Sequence, residues 1–178
     1  MNDITYRRPR PEEAEAFAAL HVQCWREAYA ALVPAELLAD FSTKQRLPMW
    51  RAVLATPDRI VIGAYDGEAP AGFIIAGATP EQLTEKQDGH VWALYIAANQ
   101  HRRGVGRRLM GQAAGQWLAR GGETFTIGVL RENAQARAFY EALGSVLVKE
   151  SVYDWDGHQL KDCIYSLDQG QMLKLSRP

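Results

Sequence analysis

Only two cysteines occur in 178 residues, Cys24 and Cys163, and no CxxC or other ligand-type spacing joins them. There is therefore no disulfide framework to read and no metal site to expect. One thiol falls in a helical pattern and the other in a strand pattern, and both read as buried small hydrophobes of a reducing compartment. No apolar run approaches the ~18 residues of a membrane span. The opening residues, MNDITYRRPRPEEAEAF, lack the charged-then-apolar layout of a signal peptide, so a cytoplasmic protein without a membrane partner is expected. Charge excess is missing too: 20 Lys and Arg against 21 Asp and Glu leave −1. The pI of about 6.4 is not that of a dedicated nucleic-acid binder. Internal repeats, linkers and low-complexity tracts are absent.

What is present is an ordinary globular composition, with 47% hydrophobic and 23% charged residues. Its length suits one domain over 1–178. Residues 4–8 alternate as a short strand. Pro11 then opens a helix with Glu12, Glu13 and Glu15 in its first turn, the right sign for the positive end of the helix dipole. Its apolar periodicity runs on to Leu32. Shorter helices follow at 35–41 and 44–55, the latter interrupted by Pro48. Residues 59–66, 71–78 and 90–96 read as strands, the first two joined by a hairpin signal at GEAP. A helix at 104–120, a strand at 124–130 and a helix at 133–144 come next. A final strand pair turns across Asp156-Gly157. The order predicts an α/β (α+β) fold: a mixed, mostly antiparallel sheet of about seven strands flanked by helices. Residues 169–178 read as a C-terminal tail.

Four arginines crowd one segment, NQHRRGVGRRLM (residues 99–110). Its glycines, Gly104 and Gly106, fall where a strand feeds a helix start. Unpaired N–H groups and the positive dipole end make such a start a phosphate site, and glycine lets phosphate oxygens approach the backbone. A P-loop would need GxxxxGK[ST] and a dinucleotide fingerprint GxGxxG; neither fits, since Leu109 occupies the third glycine position. A second segment, NAQARAFYEALG, begins at Asn133, a good N-cap. It places Asn133, Ala136, Arg137 and Tyr140 on one helical face. Asn133 and Tyr140 stand two turns apart, about 10.5 Å at 1.5 Å per residue. Phe139 reads as a core aromatic.

Taken together, LYIAANQHRRGVGRRLM and NAQARAFYEALG resemble two motifs of the GCN5-related N-acetyltransferase superfamily, Q/R-x-x-G-x-G/A and N-x-x-A-x-x-F-Y. The order of elements is similar over most of the chain. The resemblance implies acetyl transfer from acetyl-CoA, as cosubstrate and without a metal, to an amine in a ternary complex. It assigns the diphosphate to the backbone from His101 through Val105 and Gly106 to Arg107, with Arg102 and Arg103 beside it. The strand LYI (Leu94, Tyr95, Ile96) would splay from TFTIGVL, leaving backbone groups for the pantetheine arm and an N–H to polarise the thioester carbonyl. Asn133 and Ala136 would face the pantetheine, and Tyr140 would protonate the departing thiolate. His90 stands where many relatives carry a glutamate acting as general base; bulk water is the alternative. His101, Ala98 and Ser145 depart from the family's usual residues.

The acceptor side is assigned to residues 1–56, and the coenzyme core to 57–168. HVQCWREAYAALVP carries His21, Trp25, Arg26 and Tyr29 on one helix. Trp25, Tyr29 and Trp92 are the acceptor-contacting candidates, although core packing competes for each. Glu81, Glu85 and Asp88 in the loop before the central strand can attract a cationic amine or simply be solvated. The acceptor is a small molecule or a peptide amine, and a homodimer is left open. Two other readings stay open: a coenzyme-binding module without turnover, and a nucleic-acid module using Arg102, Arg103, Arg107 and Arg108, against which the near-neutral charge speaks.

Overall fold

Local capping chemistry sets several of the helix starts. The computed structural model describes residues 3–79, 89–155 and 157–177. After β1 (Ile4–Arg7) and a 3-10 turn at Pro11–Glu13 come α1 (Ala14–Tyr29), α2 (Ala35–Asp40) and α3 (Thr43–Ala55). Ser42 opens α3 with a capping box, accepting from the Gln45 amide while the Gln45 side chain returns to the cap backbone. Strands β2 (Ile60–Asp66), β3 (Ala69–Ala78) and β4 (Gly89–Ile96) precede α4 (Val105–Ala119), β5 (Phe125–Leu130) and α5 (Ala134–Ala142). The chain ends in β6 (Val146–Trp155), β7 (His158–Leu167) and α6 (Gln169–Ser176).

Most boundaries shift by a residue or two, and two larger differences from the sequence reading have a local cause. Helix α1 stops at Tyr29 rather than Leu32, because the Leu32 and Val33 amides both turn back to the Tyr29 carbonyl before Pro34. The segment expected as a tail is helix α6. Asp168 caps it through a box with Gln171, and Met172 and Leu175 bury its inner face.

The sheet has seven strands in the order β1-β2-β3-β4-β5-β7-β6, all antiparallel neighbours except the parallel pair β4–β5. That one parallel pair is short: only Gly89–Val91 match Phe125–Ile127. Beyond Val91 the strands part. A bulge sits at the same point, since Ala76 pairs with Val91 and Ile75 with Ala93, leaving Trp92 as the extra residue. A bulge bends its strand and resets which side chains face each way. Val91, Leu94 and Ile96 accordingly pack on the side of α4 with Leu109, Met110 and Ala113. Trp92, Ala93 and Tyr95 pack on the side of α1 and α3 with Phe17 and Trp50. A third cluster joins α1 and α2 through Trp25, Leu37 and Phe41 to Leu130, Trp155 and Leu160. Each large apolar side chain fully buried here contributes about 1.5–3 kcal/mol, which fixes the helices on both sides of the β4–β5 opening.

Candidate active site

The turn into α4 begins where β4 ends. Residues Ala98–Gln100 form a 3-10 turn, Arg102 has φ +59°, and Gly104 has φ +78° as N-cap of α4. Arg102 is the one non-glycine with positive φ among the described residues. Backbone in sparsely populated conformations concentrates where function requires it, and left-handed residues in such a run curl successive N–H groups into a concave, anion-binding nest. The space above Gly104 is open: a Cβ there would meet nothing within 4 Å. Gly106 serves a different purpose. A Cβ would come within 3.1 Å of the Phe139 ring and 3.2 Å of Ile96 Cδ1, so its bareness lets α5 close against α4.

The side chains around the nest divide. His101 holds the Ile96 carbonyl through Nε2 at 2.8 Å and ties the loop to the end of β4. Arg102 and Arg107 line the adjoining cleft. Arg103 does not: its guanidinium donates to the Gln100 side chain, which is buried and donates in turn to Asp66 at 3.0 Å. A buried amide oxygen needing a donor has claimed this arginine.

The cleft, about 790 Å³, runs from the nest along β4 to α5. Leu94, Tyr95 and Ile96 form one wall, with Trp92 and Tyr29 at the far end. Asn133, Ala136 and Tyr140 form the other. Because β4 has lost its β5 partner past Val91, alternate backbone groups of Trp92–Ile96 face this space without a ladder bond. Asn133 accepts from the Ala136 amide at 3.0 Å, which leaves its NH₂ to donate, and the Tyr29 hydroxyl lies in reach. Tyr140 is 7% exposed. Burial first, and then the neighbouring Tyr29 hydroxyl, push its phenol up, so it keeps its proton at neutral pH. Cys24 lines the same cleft, and its thiol is pushed up to about 12, mainly by burial.

A second cavity of about 310 Å³ meets the cleft at Tyr29, Trp92, Tyr95 and Gly128. It lies under α1 and α3. Trp25 stacks on Phe41 with ring centres 4.2 Å apart, and Trp155 stands edge-on to Trp25 at 5.3 Å. His21, Arg46 and Asp162 complete the lining. The Tyr29 and Tyr95 hydroxyls approach at 3.5 Å where the two spaces join. The structure thus gathers Trp25, Tyr29 and Trp92 as the sequence suggests. His90 stands apart: its Nδ1 is 2.8 Å from Thr126 Oγ1, its ring packs edge-on to Trp92, and it lines neither cavity. Burial lowers it to about 4, so it is neutral at pH 7. Glu81, Glu85 and Asp88 lie outside the described residues.

Sequence reasoning missed Arg46 and Asp162. A signal for the second existed, since Leu160, Asp162 and Ile164 share one face of β7 and an acid between two apolar residues breaks the register. Among the described residues, no group of three or more His, Cys, Asp or Glu can hold a metal ion, and no helix is long and apolar enough to cross a membrane.

The model of the acetyltransferase (GNAT) family matches residues 14–145. YuaI of Bacillus subtilis, an uncharacterised N-acetyltransferase, is 25% identical over 162 residues, covering 89% of this chain and 90% of its own. The crystal structure of PaiA N-acetyltransferase from Thermoplasma acidophilum in complex with coenzyme A superposes with TM-score 0.70 at 19% identity, covering 93% of this chain and 99% of that one. YncA from Salmonella typhimurium, solved with its cofactor acetyl-CoA, gives TM-score 0.70 at 14% identity, with 94% and 95% coverage. These two structural likenesses are likenesses of fold.

Proposed function

Because the chain belongs to the GNAT acetyltransferase family and is an acetyl-CoA-dependent acyltransferase, we propose that it acetylates a primary amine by direct attack in a ternary complex. The observation that carries this reading is the parting of β4 from β5 beside the nest. It brings an anion-binding turn, unpaired strand backbone and a buried phenol around one cleft. The N–H groups around Gly104 take the diphosphate, supported by Arg102 and Arg107. The freed backbone of β4 takes the pantetheine arm, and one N–H of Leu94–Ile96 polarises the thioester carbonyl. The neighbours solved with coenzyme A and acetyl-CoA support this choice of cosubstrate.

The amine enters from the aromatic cavity and gives up its ammonium proton to solvent water before attack. Its nitrogen then forms the bond to the carbonyl carbon as the C–S bond breaks. The thiolate takes a proton from the Tyr140 hydroxyl, and the proton released by the new amide nitrogen restores the phenol. A phenol raised by burial would be a poor acid toward a solvated thiolate of ordinary pKa. The Cys24 thiol at the edge of this cleft is pushed up to about 12, mainly by its own burial. A leaving thiolate buried in the same way is correspondingly basic, and donor and acceptor then rise together. His90, away from both cavities, could act on the amine only through a water relay past Trp92.

Acetyl-CoA at about a hundred times its Kd stabilises the native state by about 2.7 kcal/mol. At about 2.1 cal/mol/K per residue over 178 residues, that raises Tm by about 7 °C. Free thiol is then released when a suitable amine is added. The absence of any shift at millimolar acetyl-CoA refutes the reading. A shift without thiol release across amino acids, polyamines, amino sugars and peptide amines leaves a binding module instead.

A further inference from the structure

The aromatic cavity is lined by two charged side chains, Arg46 and Asp162, that form no salt bridge among the described residues. The salt bridges among the described residues are Arg7–Glu13, Arg10–Glu13 and Arg131–Glu150. Arg46 and Asp162, both lining the cavity, take part in none of them. Arg46 reaches in from α3 with its guanidinium carbon 4.2 Å over the Phe41 ring, and its Nε is buried without a hydrogen-bond partner. Asp162 comes from β7. Its Oδ2 stands 3.2 Å from where a Cβ on Gly128 would lie, which puts the carboxylate over β5 where β4 has parted from it. The backbone amides of Val129 and Cys163 steady that carboxylate, and burial raises its pKa. Beside Arg46 sits His21, 7% exposed, with Nδ1 unpartnered. Burial, and then the Arg46 charge, hold its ring neutral.

Partly desolvated charges without partners cost stability. Here they have opposite sign and come from different elements, α3 and β7, onto one small cavity. The cavity size sets a second limit, because about 310 Å³ lies at the bottom of the range for small-molecule sites, roughly 300–1,000 Å³. A polyamine would bring several cations against Arg46 and meet one carboxylate. An amino sugar would set its hydroxyls against Trp25, Phe41 and Trp155. A peptide amine carries no carboxylate at the distance of a free amino acid.

We propose that this cavity takes a free α-amino acid with an apolar side chain, its ammonium on Asp162 beside the β4–β5 opening and its carboxylate on Arg46. The side chain lies among Trp25, Phe41 and Trp155. This inference rests on the acetyl-transfer reading above and names its acceptor class.

The test uses the whole protein and acceptors that differ by one group. Initial rates of thiol release are measured with leucine, methionine, phenylalanine and tryptophan, with phenylalanine amide, with 2-phenylethylamine and with spermidine. The amino acids are turned over, and loss or masking of the carboxylate lowers kcat/KM on the order of ten- to a hundredfold, as expected for a lost hydrogen-bonded charge. Arg46→Met erases the preference for acid over amide. Asp162→Asn slows acid and amide alike. The proposal is overturned if amide or phenylethylamine matches phenylalanine, if spermidine is the best acceptor, or if Arg46→Met slows acid and amide by the same factor. Should Arg46→Met not fold, Arg46→Lys and the wild-type comparison of acid with amide still decide. An acetyl-CoA thermal shift with no amino acid turned over removes this inference alone; no thermal shift removes the acetyl-transfer reading with it.

Discussion

Replacing Gly104 by alanine separates backbone strain from ligand binding. Gly104 has φ +78°, and a Cβ there would touch nothing within 4 Å, so the cost is conformational rather than steric. A left-handed L-residue costs roughly 1–2 kcal/mol. With the unfolding entropy of a 178-residue chain, about 0.37 kcal/mol/K, this lowers Tm by about 3–5 °C. Gly121, just past the end of α4, provides the control, with φ +83° and the same open surroundings. Gly121→Ala meets the same strain far from the nest. If the turn around Gly104 relaxes to relieve the strain, one or more N–H groups leave the diphosphate, and each lost hydrogen bond to a charged group costs about 1.5–3 kcal/mol. Gly104→Ala therefore weakens coenzyme A binding on the order of ten- to a hundredfold, whereas Gly121→Ala leaves the affinity alone. Calorimetric titration with coenzyme A and thermal melts of both variants read the two quantities. Equal weakening by both variants, or an unchanged affinity in Gly104→Ala, refutes the placement of the diphosphate.

Tyr140→Phe removes the proton donor and leaves the ring. It is expected to lower kcat by about a hundredfold or more while the acetyl-CoA Kd stays nearly constant; wild-type turnover across neutral pH would remove Tyr140 from the mechanism. Acidification should destabilise the fold through His21, whose folded value near 3 lies below the ordinary 6.5. Stability is then complete above pH 6.5 and is lost as the unfolded chain gains a proton that the buried ring refuses. Between pH 7 and pH 5 this amounts to about 2 kcal/mol, or about 5 °C in Tm. His21→Gln should flatten that decline, and an identical slope in wild type and variant would contradict the burial argument.

The helix starts around the cleft were the more legible in the sequence. Gly104 and Asn133 open α4 and α5 as N-cap residues, at the helix starts the sequence indicates. The sheet was legible from period-2 runs and turn residues, since the β6–β7 hairpin does close with Trp155 opposite His158. The bulge at Trp92 was not, because HVWALYI reads as one unbroken strand and the extra residue shows only against the register of β3. The tail became a helix for a reason that could be read: Asp168 and Gln171 form the D-x-x-Q box that starts α6. Arg103 illustrates the opposite case. Nothing near it in sequence reveals that Gln100 will be buried and in need of a donor. Arg46 and Asp162 are further removed still, on a helix and a strand that only the folded sheet brings to one cavity.

The meeting of the two cavities at Tyr29, Trp92, Tyr95 and Gly128 also has a consequence for traffic if the proposed acetyl transfer holds. On the acetyl-transfer reading proposed above, each reactant has its own space, one lined from α4 and α5 and the other from α1 and α3. Under that reading neither product would have to leave before the other, and a fresh molecule would be able to arrive on one side while the opposite side is still occupied. A single channel would impose a queue; two joined spaces would not.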